Sequence, residues 1–189
     1  MKSKIVVAFT LLALTTVICV NTAVAQGQTP TDAAPIGLYI ESQVKCGDAA
    51  GSLEPYDMKI ALLEAVRGKE AWDKIQAASA SNQPPKAGFE YIAARVAFEM
   101  TATGAPGNKT FDLGRPMQFT ALASDGSEYE TPSVAPPKPE LKRAVPASDP
   151  AEGWIVFLVK QADSKPLMMF DPASGGAMGR GKLLFFQLY

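Results

Sequence analysis

A regular alternation of apolar with other side chains runs through residues 90–100 of this 189-residue chain. Every second side chain from residue 92 onward is apolar, whereas the charged Arg95 and Glu99 occupy positions between them. Successive side chains of a β-strand point to opposite faces of the sheet, so this spacing places the apolar set on one face. The pattern predicts a central strand whose core-facing residues include Ile92, Val96 and Phe98.

Other short segments have the same character and are separated by turn residues. Strands are predicted at 36–44, 57–66, 154–159, 166–170 and 183–188. A hairpin around Asp125-Gly126 is predicted to join 117–121 to 128–130. The doubled Leu62-Leu63 interrupts the second of these and predicts a bulge or a twist. Residues 154–159 are apolar on both faces, and Trp154 is expected to anchor the packing of that strand.

Residues 68–78 differ from the strands and predict one short helix. Glu70 and Lys74 lie four positions apart, as do Lys69 and Asp73, which is the spacing of ion pairs on a helix surface. About eight strands with a single helix favour an all-β, antiparallel, two-layer β-sandwich over a parallel α/β fold, which needs a helix between most strands.

The first 25 residues are predicted to be a signal peptide. Lys2 and Lys4 precede an apolar run that is short for a membrane span, and small residues at alternate positions follow it. Cleavage is expected between Ala25 and Gln26; an uncleaved anchor is the alternative. The mature chain would then have no transmembrane segment, with a flexible arm at 26–35 and one domain at 36–189, exported to the periplasm or the extracellular space.

Composition excludes several functions. Lys plus Arg number 18 and Asp plus Glu number 19, so no basic excess is available to bind nucleic acid. Loss of the leader removes two lysines and changes the formal charge from −1 to −3. The chain has no histidine, which excludes Ser-His-Asp and Cys-His catalysis and imidazole metal sites.

Cys46 is the single thiol of the predicted mature chain. Lys45 and Asp48 place opposite charges beside it, so no activation of the thiolate is expected, and Gly47 predicts a turn at a strand end rather than deep burial. We expect a free, half-buried, unactivated thiol; cross-linking of two copies through a disulfide is the alternative.

The remaining motifs do not amount to catalytic, cofactor or metal sites. The glycines and lysine of residues 176–182 have P-loop spacing, but Leu183 replaces the required hydroxyl and strand-like sequence follows instead of a helix. Asp48, Glu54 and Asp57 lack the spacing of a calcium loop, and the adjacent methionines 168–169 have no partner ligand for copper. Residues 131–151 are Pro-rich, and no regular structure is expected there: the segment is either a functional excursion or an exposed, Pro-stiffened loop.

Five strings in order make the stretch from Tyr56 to Asp171 resemble an immunoglobulin-like domain of unknown function found in bacterial secreted proteins and lipoproteins, whose fold is shared with a secreted immunoprotective antigen. The strings are MKIAL (58–62), GKEAWDKI (68–75), GFEYI (88–92), SDGSEY (124–129) and GWIVF (153–157). The turn at 103–108 departs from the family's Asn-rich one, and the Pro-rich loop is longer. The resemblance implies fold and export, with no catalytic residue to transfer.

The expected function is therefore that of an exported, non-enzymatic module that binds a protein or envelope component through a sheet face or its long loops. A secreted domain that holds a small molecule or metal in the acidic loop, with or without enzymatic activity, is the alternative. A passive envelope spacer is a third possibility.

Overall fold

The computed structural model describes residues 26–47, 53–104, 107–115, 117–174 and 179–189. The predicted signal peptide, including Ala25, and Asp48 of the acidic cluster lie outside these residues. The described chain forms a 3-10 turn at Pro30–Asp32, one α-helix and ten strands. Their bounds are β1 Ile40–Gly47, β2 Leu53–Arg67, α1 Gly68–Ala78, β3 Phe89–Ala102, β4 Thr110–Leu113, β5 Phe119–Leu122, β6 Arg143–Pro146, β7 Ala151–Lys160, β8 Leu167–Phe170, β9 Gly179–Gly181 and β10 Leu184–Gln187.

The strands form two layers. One layer is an antiparallel five-stranded sheet with the order β7-β3-β2-β1-β9. The facing layer consists of the three-stranded sheet β10-β8-β5 and the two-stranded sheet β4-β6, both also antiparallel. This architecture confirms the predicted all-β antiparallel sandwich with one short helix.

The main core fills the space between the layers because one face of each long strand is apolar. On β3, Ile92, Val96 and Phe98 are all buried in this core. The Phe98 ring stacks on Phe111 of the opposite layer at a centroid distance of 5.1 Å and meets Phe170 edge-on at 6.3 Å. These rings join the two layers through apolar contact.

Helix α1 covers the other face of the five-stranded sheet and has the predicted bounds of 68–78. Its Ala71 and Ile75 are buried in a second apolar cluster with Tyr91 and Trp154. Trp154 is therefore buried, as expected of an anchor, but it packs on the helix side of the sheet and not in the core between the layers.

The bulge is confirmed, because the pairing of β2 with β3 shifts register between Leu62 and Glu64. The prediction that 131–151 has no regular structure is wrong. Residues 143–146 form β6, which pairs with β4, a strand that the sequence did not predict. Residues 179–181 of the P-loop-like string form β9, paired with β1. The predicted hairpin of 117–121 with 128–130 is reduced to a bridge between Leu122 of β5 and Glu128.

The N-terminal arm differs from the loose segment expected at 26–35. Ala34 is fully buried and forms a parallel bridge with Phe186 of β10, and the amide of Phe185 donates to the carbonyl of Gly27 at 2.8 Å. These backbone bonds satisfy polar groups along β10, and they hold the arm on the domain despite its lack of apolar periodicity.

None of the helices in the part of the chain that the structure describes has the length and apolar character needed to cross a membrane.

Candidate binding cleft

A cleft of about 360 Å³ lies between strand β7 and the Pro-rich segment. Its size is at the lower end of the range for ligand sites in proteins. Its walls are mainly apolar, and charged side chains stand at its edge. The principal apolar lining residues are Phe119, Pro132, Val134, Pro136, Trp154, Ile155 and Val156, and the charged ones are Arg115, Glu140 and Lys142.

The first attachment is at Tyr129, two residues before the Pro-rich segment. The Tyr129 hydroxyl donates to the Asp163 carboxylate at 2.8 Å, and Ser124 donates to the same group through its hydroxyl at 2.5 Å and its amide at 3.2 Å. Partial burial alone would raise the pKa of Asp163, but these hydrogen bonds and the one from the Lys165 amide outweigh it and lower the pKa. The carboxylate thus stays ionised and fixes Tyr129 beside the turn after β7.

The second attachment is Asn82, which connects the segment to helix α1. Its side-chain amide donates to the carbonyls of Ile75 at 2.7 Å and Ala135 at 2.9 Å, and its carbonyl accepts from the Ala135 amide at 2.8 Å. Asn82 is buried, and all of these bonds use groups that would otherwise need water. One side chain therefore links the last turn of the helix to Ala135, near the start of the segment.

The third attachment is a short backbone pairing with β7. The Trp154 amide donates to the Pro139 carbonyl at 2.8 Å, and the Leu141 amide donates to the Trp154 carbonyl at 3.0 Å. Gly153 permits this approach, because a Cβ there would lie 2.6 Å from backbone atoms of Glu140 and Leu141. Between Tyr129 and Pro139 the segment is thus held at three places, and the cleft lies beneath it.

Trp154 forms part of the cleft wall and is held in place by charged neighbours. The Lys74 ammonium lies 5.4 Å from its ring centroid and the Arg95 guanidinium carbon 6.0 Å. Arg95 is positioned by ion pairs to Glu64 at 3.2 Å and Glu152 at 2.5 Å. The indole is therefore a fixed apolar surface.

The charged groups at the edge of the cleft are only partly neutralised. Arg115 pairs with Asp112, and Glu140 pairs with Lys138 at 3.4 Å. Lys142 is exposed, and no carboxylate among the described residues pairs with it. The mouth therefore presents an ammonium group that an acidic ligand can pair with.

Cys46 lies away from this cleft. Its side chain is 1% exposed, and its Sγ lies 3.8 Å from the Met100 Sδ inside the main core. Cys46 lies at a strand end, as predicted, since β1 ends at Gly47, but the prediction that it is half-buried is wrong, because β1 carries Cys46 on its inner face. Burial, with a smaller effect of Glu54, raises the pKa of the thiol to about 11. Both observations argue against a reactive thiolate and against a disulfide between two copies.

The other sequence candidates do not come together as sites in the described residues. Glu54 and Asp57 are three positions apart on β2 and therefore point to opposite faces of the sheet. No group of three potential ligands was found for a metal among the residues with described structure. Of the P-loop-like string, 175–178 lie outside the described residues, and 179–181 form a strand paired with β1, whereas a P-loop continues into a helix.

No family model and no curated protein matches this chain. A solved structure, that of the predicted lipoprotein YcdA of Bacillus subtilis, is similar over 69% of this chain and 35% of its own, with 16% identity and a TM-score of 0.46. This chain thus spans about a third of the length of that protein.

Sequence reasoning missed Asn82 and Asp163, which hold the cleft in shape. Each is a single polar residue in a turn, and its partners lie far away in the chain: 53 positions for Asn82 with Ala135 and 34 for Asp163 with Tyr129. The one available signal was the length of the Pro-rich segment, which marked it as a functional excursion or a stiffened loop.

Proposed function

We propose that this chain is an exported, non-enzymatic immunoglobulin-like module that binds a segment of a partner protein in the cleft beneath its Pro-rich segment. The observation that carries the proposal is that three attachments hold the irregular part of this segment, residues 131–142, over an apolar cleft with a charged mouth. A cleft fixed before binding loses little entropy when a partner enters. Proline-rich walls add to this rigidity.

Export is part of the proposal and rests on the N-terminal sequence, with its basic start, short apolar run and small residues before Gln26. The non-enzymatic role rests on the lack of histidine and on the raised pKa of the buried thiol. The immunoglobulin-like assignment rests on the five strings that resemble that family.

The proposal can be tested by selection of peptides. Protein produced from the full 189-residue chain is immobilised, and a displayed library of random decapeptides is selected on it. We expect enriched peptides that bind the wild type and lose at least about tenfold in affinity for Thr131→Phe. Thr131 is exposed and lines the cleft, so a phenyl ring there would occupy the space without removing a core side chain.

The matched control is Thr101→Phe. Thr101 is also exposed, but it lies six residues along β3, or about 20 Å, from Arg95, the residue that pairs with Trp154 of the cleft wall. Affinity for this variant should equal that of the wild type. Failure to select any peptide, or equal affinity for both Thr131→Phe and the wild type, would contradict the proposal and favour a passive spacer or another binding face.

A further inference from the structure

Strand β7 is an edge strand of the five-stranded sheet. Its hydrogen bonds show which of its residues direct their amide and carbonyl outward, away from β3. Trp154 directs both its amide and its carbonyl away from β3: the amide donates to the Pro139 carbonyl, and the carbonyl accepts from the Leu141 amide. The pairing of β7 with β3 keeps a constant register along its length. Because inward and outward residues alternate in an antiparallel pair, Val156 and Leu158 also direct their backbone groups outward.

These outward groups have no hydrogen-bond partner in the described parts of the chain. Neither Val156 nor Leu158 takes part in a backbone bond outside the ladder or accepts a bond from a side chain. Val156 is only 9% exposed and lines the cleft. An unpaired amide and carbonyl at a sheet edge can pair with an added strand, so this stretch of edge is incomplete.

The Pro-rich segment runs past this edge but does not complete it. Pro132 and Pro136, which line the opposite wall, have no amide hydrogen to donate. Pairing between the segment and β7 is confined to Pro139 and Leu141, beside Trp154. The segment therefore leaves a gap at Val156 instead of an added strand.

The side chains around the gap at Val156 indicate which kind of ligand could bind there. Phe119 and Ile155 lie toward the inner side of the sheet, and Val134 and Trp154 toward the helix side, so apolar side chains find contacts on both faces. Lys142 stands at the mouth, without a carboxylate partner in the structure as described. An extended peptide with apolar residues at consecutive positions and one acidic residue could pair with the open edge of β7, contact the apolar walls on both faces of the sheet and pair with Lys142.

We propose that an extended, acidic segment of a partner protein adds as a strand to the edge of β7 at Val156 and Leu158, with its carboxylate paired to Lys142. This inference rests on the proposed function, since it specifies how the same cleft would bind its partner. Strand addition obtains affinity from main-chain bonds and selectivity from side chains.

The test uses a peptide selected as above. Each backbone nitrogen of the peptide is methylated in turn, which removes one donor without changing the side chain. We expect losses in affinity of about tenfold or more at every second position and smaller losses between them. Equal tolerance of methylation at all positions would overturn strand addition but would leave peptide binding in the cleft intact.

Amide hydrogen exchange of the protein provides the second measurement. Without peptide, the Val156 amide should exchange much faster than those of Ile155 and Phe157, which bond to β3; with peptide, it should become protected. Protection of Val156 in the free protein that disappears on dilution would show pairing of two copies through this edge and would overturn the inference. Protection independent of concentration would show an internal partner, with the same consequence.

The charge is tested separately. Lys142→Gln should lower the affinity for an acidic peptide roughly two- to fivefold at low salt, whereas Lys142→Arg should bind the peptide with the affinity of the wild type. When the carboxylate of the same peptide is converted to an amide, its affinity for Lys142→Gln should equal its affinity for the wild type. Equal binding of the acidic peptide to both variants would contradict the assignment of Lys142.

Discussion

Asn82→Ala tests the attachment that joins helix α1 to the Pro-rich segment. The substitution removes three hydrogen bonds, two to Ala135 and one to the Ile75 carbonyl. Each neutral bond contributes about 1 kcal/mol net. Ala135 is exposed and can regain water, and the Ile75 carbonyl also accepts from the Ser79 amide at 3.4 Å. We therefore expect the free energy of unfolding to fall by about 2–3 kcal/mol and not by more.

Urea titration followed by tryptophan fluorescence measures this change. Gln83→Ala removes a similar amide from the next residue, whose side chain is exposed and donates only to the Ser81 carbonyl, so it should cost less than about 0.5 kcal/mol. Because Asn82 holds the segment over the cleft, Asn82→Ala should also lower the affinity for the selected peptides, whereas Gln83→Ala should leave that affinity unchanged. A loss below about 0.5 kcal/mol for Asn82→Ala would refute the reasoning, since Asn82 would then not hold the segment.

Four further predictions follow from the packing, ionisation and export of the chain. Phe98→Ala should lower the free energy of unfolding by about 3–5 kcal/mol in a denaturant titration, because it empties a buried site beside the Phe111 and Phe170 rings; a loss below about 1 kcal/mol would show the core face to be wrongly assigned. Native Cys46 should resist alkylation until the pH approaches its pKa of about 11, whereas the unfolded chain reacts as an ordinary thiol; appreciable native reaction below neutrality would contradict this. Asp163→Asn should destabilise the protein at pH 7, and the difference from the wild type should shrink as the pH falls below about 4. The lowered pKa makes the native carboxylate stabilising above the unfolded pKa, and this stabilisation is lost as the pH falls through the native one, so a difference independent of pH would exclude this role. Export with cleavage should leave Gln26 as the first residue on N-terminal sequencing, and a mature chain that begins at Met1 would favour the uncleaved anchor.

The elements that could be predicted are those whose information is local. Helix α1 has its predicted bounds because ion-pair spacing and an apolar stripe are properties of eleven consecutive residues. Strand β3 follows from its alternation, and the bulge of β2 from the doubled Leu62-Leu63. Enough strands of this kind, with only one helix, determine an antiparallel sandwich.

Tertiary structure decided what depends on pairing between distant segments. Strand β4 alternates polar with apolar residues over only four positions, and the four residues of β6 do not alternate, so each becomes a strand only because the other lies beside it. The burial of Cys46 depends on the extension of β1 through Gly47 opposite β2. A strand is completed by hydrogen bonds from another part of the chain, and a short or Pro-rich sequence does not encode which part that is.

The cleft belongs wholly to this second group. The sequence of 131–151 fixes its stiffness through its prolines, but its position depends on Tyr129, Asn82 and Trp154, which meet it from three separate elements. Local sequence thus determined which segments of this protein are strands, helix and stiff loop. Contacts between residues far apart in the chain determined where the stiff loop lies and which edge of the sheet it leaves open, because those contacts exist only after the layers have packed.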